Sequence, residues 1–173
     1  RRSWVLAAVT AATFVALLFC LVALALDLGQ AERAGGLSPM WGCADAGGAC
    51  LEVRRGGLLM CSIAAGLGLC VALYSGRYLA LDRRYRTFYP LLLLMVAGLT
   101  GMVMASDLFS LYMFCELMSV TAYVLVAFRR TTDTAVEAGF KYLVMGTLGT
   151  LTLLFGTALI YRETGALQLV QAI

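Results

Sequence analysis

The sequence predicts an all-α membrane protein, a bundle of about five transmembrane helices, and three observations carry that expectation. Of its 173 residues, 62% are hydrophobic and 13% are charged, about half the charged share of a typical soluble domain. The mean hydropathy is +0.89. The apolar residues fall into runs long enough to cross a bilayer, which takes about 20 residues of helix. Only helices and closed barrels can cross lipid, because every backbone polar group must be paired internally. These runs are too long and too uniformly apolar for barrel strands. Such a composition excludes a disordered segment, a nucleic-acid-binding arm and an ordinary soluble enzyme.

The elements follow in order. Residues 3–26 hold no charge and outrun the roughly 7–15 apolar residues of a signal-peptide core, so they read as the first span. Residues 27–55 are polar and glycine-rich and carry Pro39, Cys43 and Cys50, which predicts a long external loop. The second span, 56–76, is rich in small residues that let neighbouring helices approach closely. A short basic loop, RYLALDRRYR, covers 77–86. The third span is 88–105, with Pro90 expected in its first turn, where a missing N–H costs nothing. Ser106–Asp107 is a tight turn and 108–128 the fourth span. A second basic loop, RRTTD, precedes the fifth span at 134–161, and 162–173 is an amphipathic tail. The whole chain, 1–173, reads as a single transmembrane domain.

Arginine placement sets the expected orientation. Arg1, Arg2, Arg77, Arg83, Arg84, Arg86, Arg129 and Arg130 fall on one side, and Arg33, Arg54, Arg55 and Arg162 on the other. The positive-inside rule then puts the N-terminus in the cytoplasm and the C-terminal tail outside. On that orientation Cys43 and Cys50 face an oxidising compartment and can form a disulfide. Two unpaired small loop residues is the competing reading. The chain has no histidine, which removes histidine-based zinc and haem sites and every Ser–His or Cys–His nucleophile. No CxxC pair is present either. No cofactor, metal or catalytic site is therefore expected in this chain. A net charge of +3 points to lipid headgroups rather than nucleic acid as the anionic surface it meets.

Two ionisable residues lie inside spans. Glu116 is nine residues beyond Asp107, about 14 Å down its helix. Lys141, the one lysine, lies about two helical turns into the fifth span. A charge at a helix centre costs about 2.5–3.5 kcal/mol on insertion scales, so such groups usually face the bundle interior and mark ion or proton paths. Tyr112, Glu116, Ser119 and Tyr123 recur at i, i+4, i+7 and i+11, a polar stripe on one helical face. The competing reading makes Glu116 a buried structural acid and the tyrosines ordinary packing. Lys141 has a simpler alternative as well. Glu137 precedes it by four residues, the favoured order for an intrahelical pair, and lysine can snorkel to the interface. Asp107 and Asp133 suit turn and cap roles.

The run FYPLLLLMVAGLTGMVMASDLFSLYMFCELMSVTAYVLVAF and the later AVEAGFKYLVMGTLGTLTLLFGTALIYRETGAL resemble the proton-translocating, antiporter-like membrane subunits. That family comprises the L-, M- and N-type subunits of respiratory complex I (NADH–quinone oxidoreductase), the A- and D-type subunits of Mrp Na⁺/H⁺ antiporters, and relatives in membrane-bound hydrogenases. The resemblance covers roughly residues 52–168 and leans toward the N type of complex I and the D type of the Mrp antiporters. Its most specific parts are D-L-F-x4-F-x-E-L over Asp107–Leu117 and E-A-x-x-K-Y over Glu137–Tyr142.

The resemblance implies a proton or cation/proton translocating subunit in a bacterial or archaeal cell membrane. Its partners would be the lipid bilayer, other membrane subunits of the complex, H⁺ and in some members Na⁺. Glu116 matches the family's mid-membrane glutamate, and Lys141 a lysine of the helix that follows. The principal pumping lysine of the family lies further along than this chain extends. A partial antiporter-like fold is therefore expected, either a piece of a longer subunit or a shortened one that works only in a complex. The alternatives are a structural or assembly subunit without its own ion path, and a small-substrate exporter built around one membrane glutamate.

Overall fold

The computed structural model describes residues 2–33, 40–41, 51–52, 54–78, 85–128, 133–165 and 167. Within them the chain forms the expected helical membrane bundle. Five long helices run in order: α1 Arg2–Arg33, α2 Arg55–Tyr78, α3 Tyr85–Met104, α4 Leu108–Val126 and α5 Asp133–Thr164. Each is long and apolar enough to cross a membrane. One small antiparallel ladder joins β1 (Met40–Trp41) to β2 (Leu51–Glu52), with Trp41 opposite Leu51. Leu51 also bridges to Ala105, tying the ladder to the turn between α3 and α4.

Several element ends differ from the sequence reading, mostly by extension, although α4 stops at Val126, two residues short. Helix α1 continues to Arg33 through a stretch expected to be loop, because DLGQAER is polar but rich in residues that favour helix. Helix α3 starts at Tyr85, so Pro90 lies inside it rather than in its first turn. Proline has no amide to offer the carbonyl four residues earlier, which falls in the first turn of α3. Helix α5 runs to Thr164, where Gly165 takes φ +67° and its amide bonds the Tyr161 carbonyl at 2.8 Å, a left-handed stop that glycine adopts without Cβ strain.

Helices α1, α2 and α3 pack together, α4 lies against α3, and α5 lies against α4. The first group holds two apolar clusters. One joins Leu21 of α1 to Leu58, Cys61 and Ala65 of α2; the other joins Phe14, Ala72, Leu92 and Val96 across α1, α2 and α3. Antiparallel α3 and α4 approach closely where Gly98 meets the Met118 backbone, an added Cβ falling 3.0 Å from its amide nitrogen. Outward-facing positions are large and apolar, such as Phe19 at 76% exposure and Met145 at 72%. Contiguous exposure of that kind suits lipid or protein neighbours, not water.

Candidate ion-path site between the fourth and fifth helices

Helix α4 starts where the sequence predicts. Asp107 is extended (φ −123°, ψ 150°), and its Oδ2 accepts the Ser110 amide at 2.7 Å, the capping role its position suggested. From that cap the 19 residues of α4 rise about 28 Å, the thickness of the hydrocarbon core. Glu116 lies close to the middle.

The faces of α4 sort as the spacing implies. Phe109, Met113, Val120 and Val124 are exposed, whereas Tyr112, Glu116 and Ser119 are half-buried and Tyr123 is buried. Tyr112 and Glu116 stand one helical turn apart on the same face of α4. Among the described residues Glu116 makes no ion pair.

Helix α5 closes over this stripe along its smallest residues. Gly139 lies against Ala127, where an added Cβ would stand 2.6 Å from the alanine Cβ. Two turns further, the Tyr123 hydroxyl occupies the space that any side chain at Gly146 would need. The Tyr123 ring meets Tyr142 edge-on, with centroids 4.9 Å apart at 83°. Thr150 and Thr157, both buried, continue the same stripe of α5. The Gly139–Ala127 contact fixes the antiparallel register. Counting about 1.5 Å per residue from it along both helices sets Glu116 level with Thr150.

Lys141 lies elsewhere. Its Nζ pairs with Glu137 Oε1 at 2.6 Å, and the two side chains are 71% and 63% exposed. With Leu148 and Phe155 they form an exposed line at helical spacing, on the side of α5 turned away from α4. Along α5 Lys141 lies eight residues past Asp133, the two turns the sequence implies. Lys141 is only two residues past Gly139, about 3 Å from the level where α4 ends. The reason is that α5 begins at Asp133 and overruns α4 before the two helices meet.

The structure therefore brings together Tyr112 with Glu116, and Glu137 with Lys141, but holds the two pairs about 14 Å apart along the axis. Among the described residues no hydrogen bond or ion pair joins Glu116 to Lys141. Cys43 and Cys50 lie outside the described residues. The sequence reading did not single out Tyr142, Thr150 or Thr157. Their signal was the small-residue spacing Gly139, Gly146, Thr150, Thr157, which marks the α5 face that meets α4.

Comparison with known proteins agrees with this architecture. Residues 105–173 match the family described as NADH:quinone oxidoreductase/Mrp antiporter, transmembrane. NADH-quinone oxidoreductase subunit N of Desulforudis audaxviator is 36% identical over 169 residues, 93% of this chain and 32% of the relative. Subunit N of Desulfitobacterium hafniense is 44% identical over 102 residues, 58% of this chain and 21% of the relative. The chain thus spans between about a fifth and a third of the length of these relatives. A chain of the Mrp complex from Dietzia sp. DQ12-45-1b superposes with a TM-score of 0.83 at 25% identity, covering 98% of this chain and 32% of that one. The membrane-bound sulfane sulfur reductase, an archaeal respiratory membrane complex, shares the fold, with a TM-score of 0.72 at 24% identity over 98% of this chain and 37% of that one. On the family match, these relatives and the shared fold together, the chain is a multi-pass membrane protein that belongs to the NADH:quinone oxidoreductase/Mrp antiporter transmembrane family.

Proposed function

We propose that the chain is part of a proton, or cation/proton, translocating subunit of a respiratory complex I-like, hydrogenase-like or Mrp-type complex, and that it contributes Glu116 to the ion path. The observation that carries this reading is a half-buried carboxylate at the middle of a membrane-length helix, on a hydroxyl-bearing face covered by a neighbouring helix. A charged residue at that depth costs about 2.5–3.5 kcal/mol on insertion scales, and such groups usually mark ion or proton paths.

Lys141 and Glu137 form the inner-edge end of the same relay. Across about 14 Å, at an effective dielectric near 20, two unit charges couple by at most about 1 kcal/mol. A change of charge at the Lys141 end is therefore felt at Glu116 without contact. The driving force comes from other subunits.

The orientation belongs to this proposal: N-terminus in the cytoplasm of a bacterial or archaeal cell, the five spans acting as a single membrane unit, partner subunits alongside. Residues 27–55 then face outward. The β1–β2 ladder brings the two ends of the segment holding Cys43 and Cys50 side by side, which favours a disulfide between them.

A second reading, an assembly subunit without its own ion path, is favoured by the outward-facing Glu137–Lys141 pair, a natural contact for a partner helix. One substitution separates the two. In the assembled complex reconstituted into vesicles, Glu116→Gln abolishes ion movement and leaves assembly intact on the first reading; on the second it lowers assembly and leaves flux per complex unchanged. Repeating the flux measurement with and without Na⁺ distinguishes H⁺ transfer from exchange.

A further inference from the structure

We infer that the Tyr123 hydroxyl, seated over Gly146, is a proton-conducting link between the inner edge of the α4–α5 seam and Glu116. The inference rests on the ion-path reading above.

The levels of Lys141 and Glu116 differ by about 14 Å, several times the roughly 2.5–3.0 Å span of one O–H···O hydrogen bond. A proton crossing that distance needs intermediate groups that both donate and accept, which means hydroxyls or water. The seam supplies hydroxyls at useful intervals. Tyr123 and Ser119 share the Glu116 face of α4, about 10 Å and 4–5 Å from it along the axis. Thr150 of α5 is level with Glu116 by the Gly139–Ala127 register.

Tyr123 is singled out among these by its surroundings. It is 5% exposed, and its ring leans on Tyr142, the residue next to Lys141. Packing alone would be met by phenylalanine; the added hydroxyl fits because position 146 lacks a side chain. A buried tyrosine hydroxyl usually has a polar partner, and a seam lined with hydroxyls lets water serve as that partner. The Thr150 hydroxyl, one turn on, is shared between the Gly146 and Thr147 carbonyls at 3.3 and 3.2 Å. While it donates to its own helix, that hydroxyl keeps its oxygen lone pairs for a donor in the seam. In the transfer step Tyr123 Oη accepts a proton from water on the Lys141 side and releases its own toward Ser119, Thr150 and Glu116. It is neutral before and after, and nothing is oxidised or reduced.

The test uses the intact complex in vesicles, with proton movement read by a pH-sensitive dye and normalised to assembled protein. Tyr123→Phe keeps the ring and its contact with Tyr142 and removes only the hydroxyl. Assembly and melting temperature are expected to stay at the parent values while flux falls about tenfold, the loss expected for one missing hydrogen-bonded step. Parent-level flux in this variant overturns the inference. Should Tyr123→Phe assemble poorly, replacing Tyr123 with a ring-fluorinated tyrosine keeps the shape and hydroxyl while making the phenol more acidic. A displaced pH profile of flux then supports the link, and an unchanged profile overturns it. Glu116→Gln is measured in parallel. If it too retains flux, the ion-path reading itself fails; if it abolishes flux and Tyr123→Phe does not, only the role of Tyr123 is lost.

Discussion

Asp107 and Glu116 stand nine residues apart on one helix and its cap, and their surroundings give them opposite tasks. Asp107 is buried, but its carboxylate accepts an α4 amide at the end of the helix, where backbone N–H groups lack partners. Glu116 has no such amide to satisfy it and lies where a charge is costly. Asp107→Ala removes the cap and is expected to destabilise α4 by about 1 kcal/mol or somewhat more, whereas Asp107→Asn, which caps as well, costs little. Thermal melting of the assembled complex checks this: a lowered midpoint for the alanine variant alone is the expected outcome, and equal midpoints would remove the capping role. Glu116 was legible in the sequence because a carboxylate within an apolar run has no ordinary surface role. Lys141 was legible as a charge about two turns into a span, but neither the side of α5 it faces nor its distance from Glu116 was. Its depth depends on where α5 first touches α4, and that is set by Gly139 meeting Ala127.

At the scale of the element, the five spans could be read from length and hydropathy because the bilayer imposes a minimum run. Helix ends could not. Outside the hydrocarbon region a polar residue continues a helix as readily as it leaves one, and α1 and α5 both continue past their apolar cores. Which face of each helix meets its neighbour was only partly legible, since glycines appear throughout and just some are at contacts. Gly98 lies against the Met118 backbone, whereas Gly66 has nothing within 4 Å of an added Cβ. Gly98→Val therefore forces α3 and α4 apart and is expected to cost about 1–3 kcal/mol, the usual range for overpacking. Gly66→Ala is expected to be neutral or to stabilise α2 by up to about 1 kcal/mol. Melting midpoints and yields of assembled complex for the two variants test the α3–α4 packing directly; similar losses in both would show that the Gly98 approach does not hold the helices together.

For the whole molecule, the orientation sets the direction of the proposed ion path along the seam. The N-terminus, the α2–α3 connection and the α4–α5 connection lie at one end of the bundle because five antiparallel helices alternate. Eight of the twelve arginines are in those three segments or within the first or last two residues of the helices they join. Short loops dense in arginine are held back from translocation, and the bias sets the orientation of the whole bundle. With this end in the cytoplasm, the Glu137–Lys141 pair lies at the inner surface and Asp107 near the outer one, and Glu116 is reached from inside through the Tyr123 level. A variant lacking the six natural cysteines and carrying either Thr131→Cys or Ala46→Cys tests the arrangement. Thr131→Cys, between α4 and α5, is expected to react with a membrane-impermeant maleimide in inside-out vesicles but not in intact cells. Ala46→Cys, between β1 and β2, is expected to show the reverse pattern. If both positions label with the opposite sidedness, the bundle is inverted and the proton enters the α4–α5 seam from outside, reaching Glu137 and Lys141 first from that face.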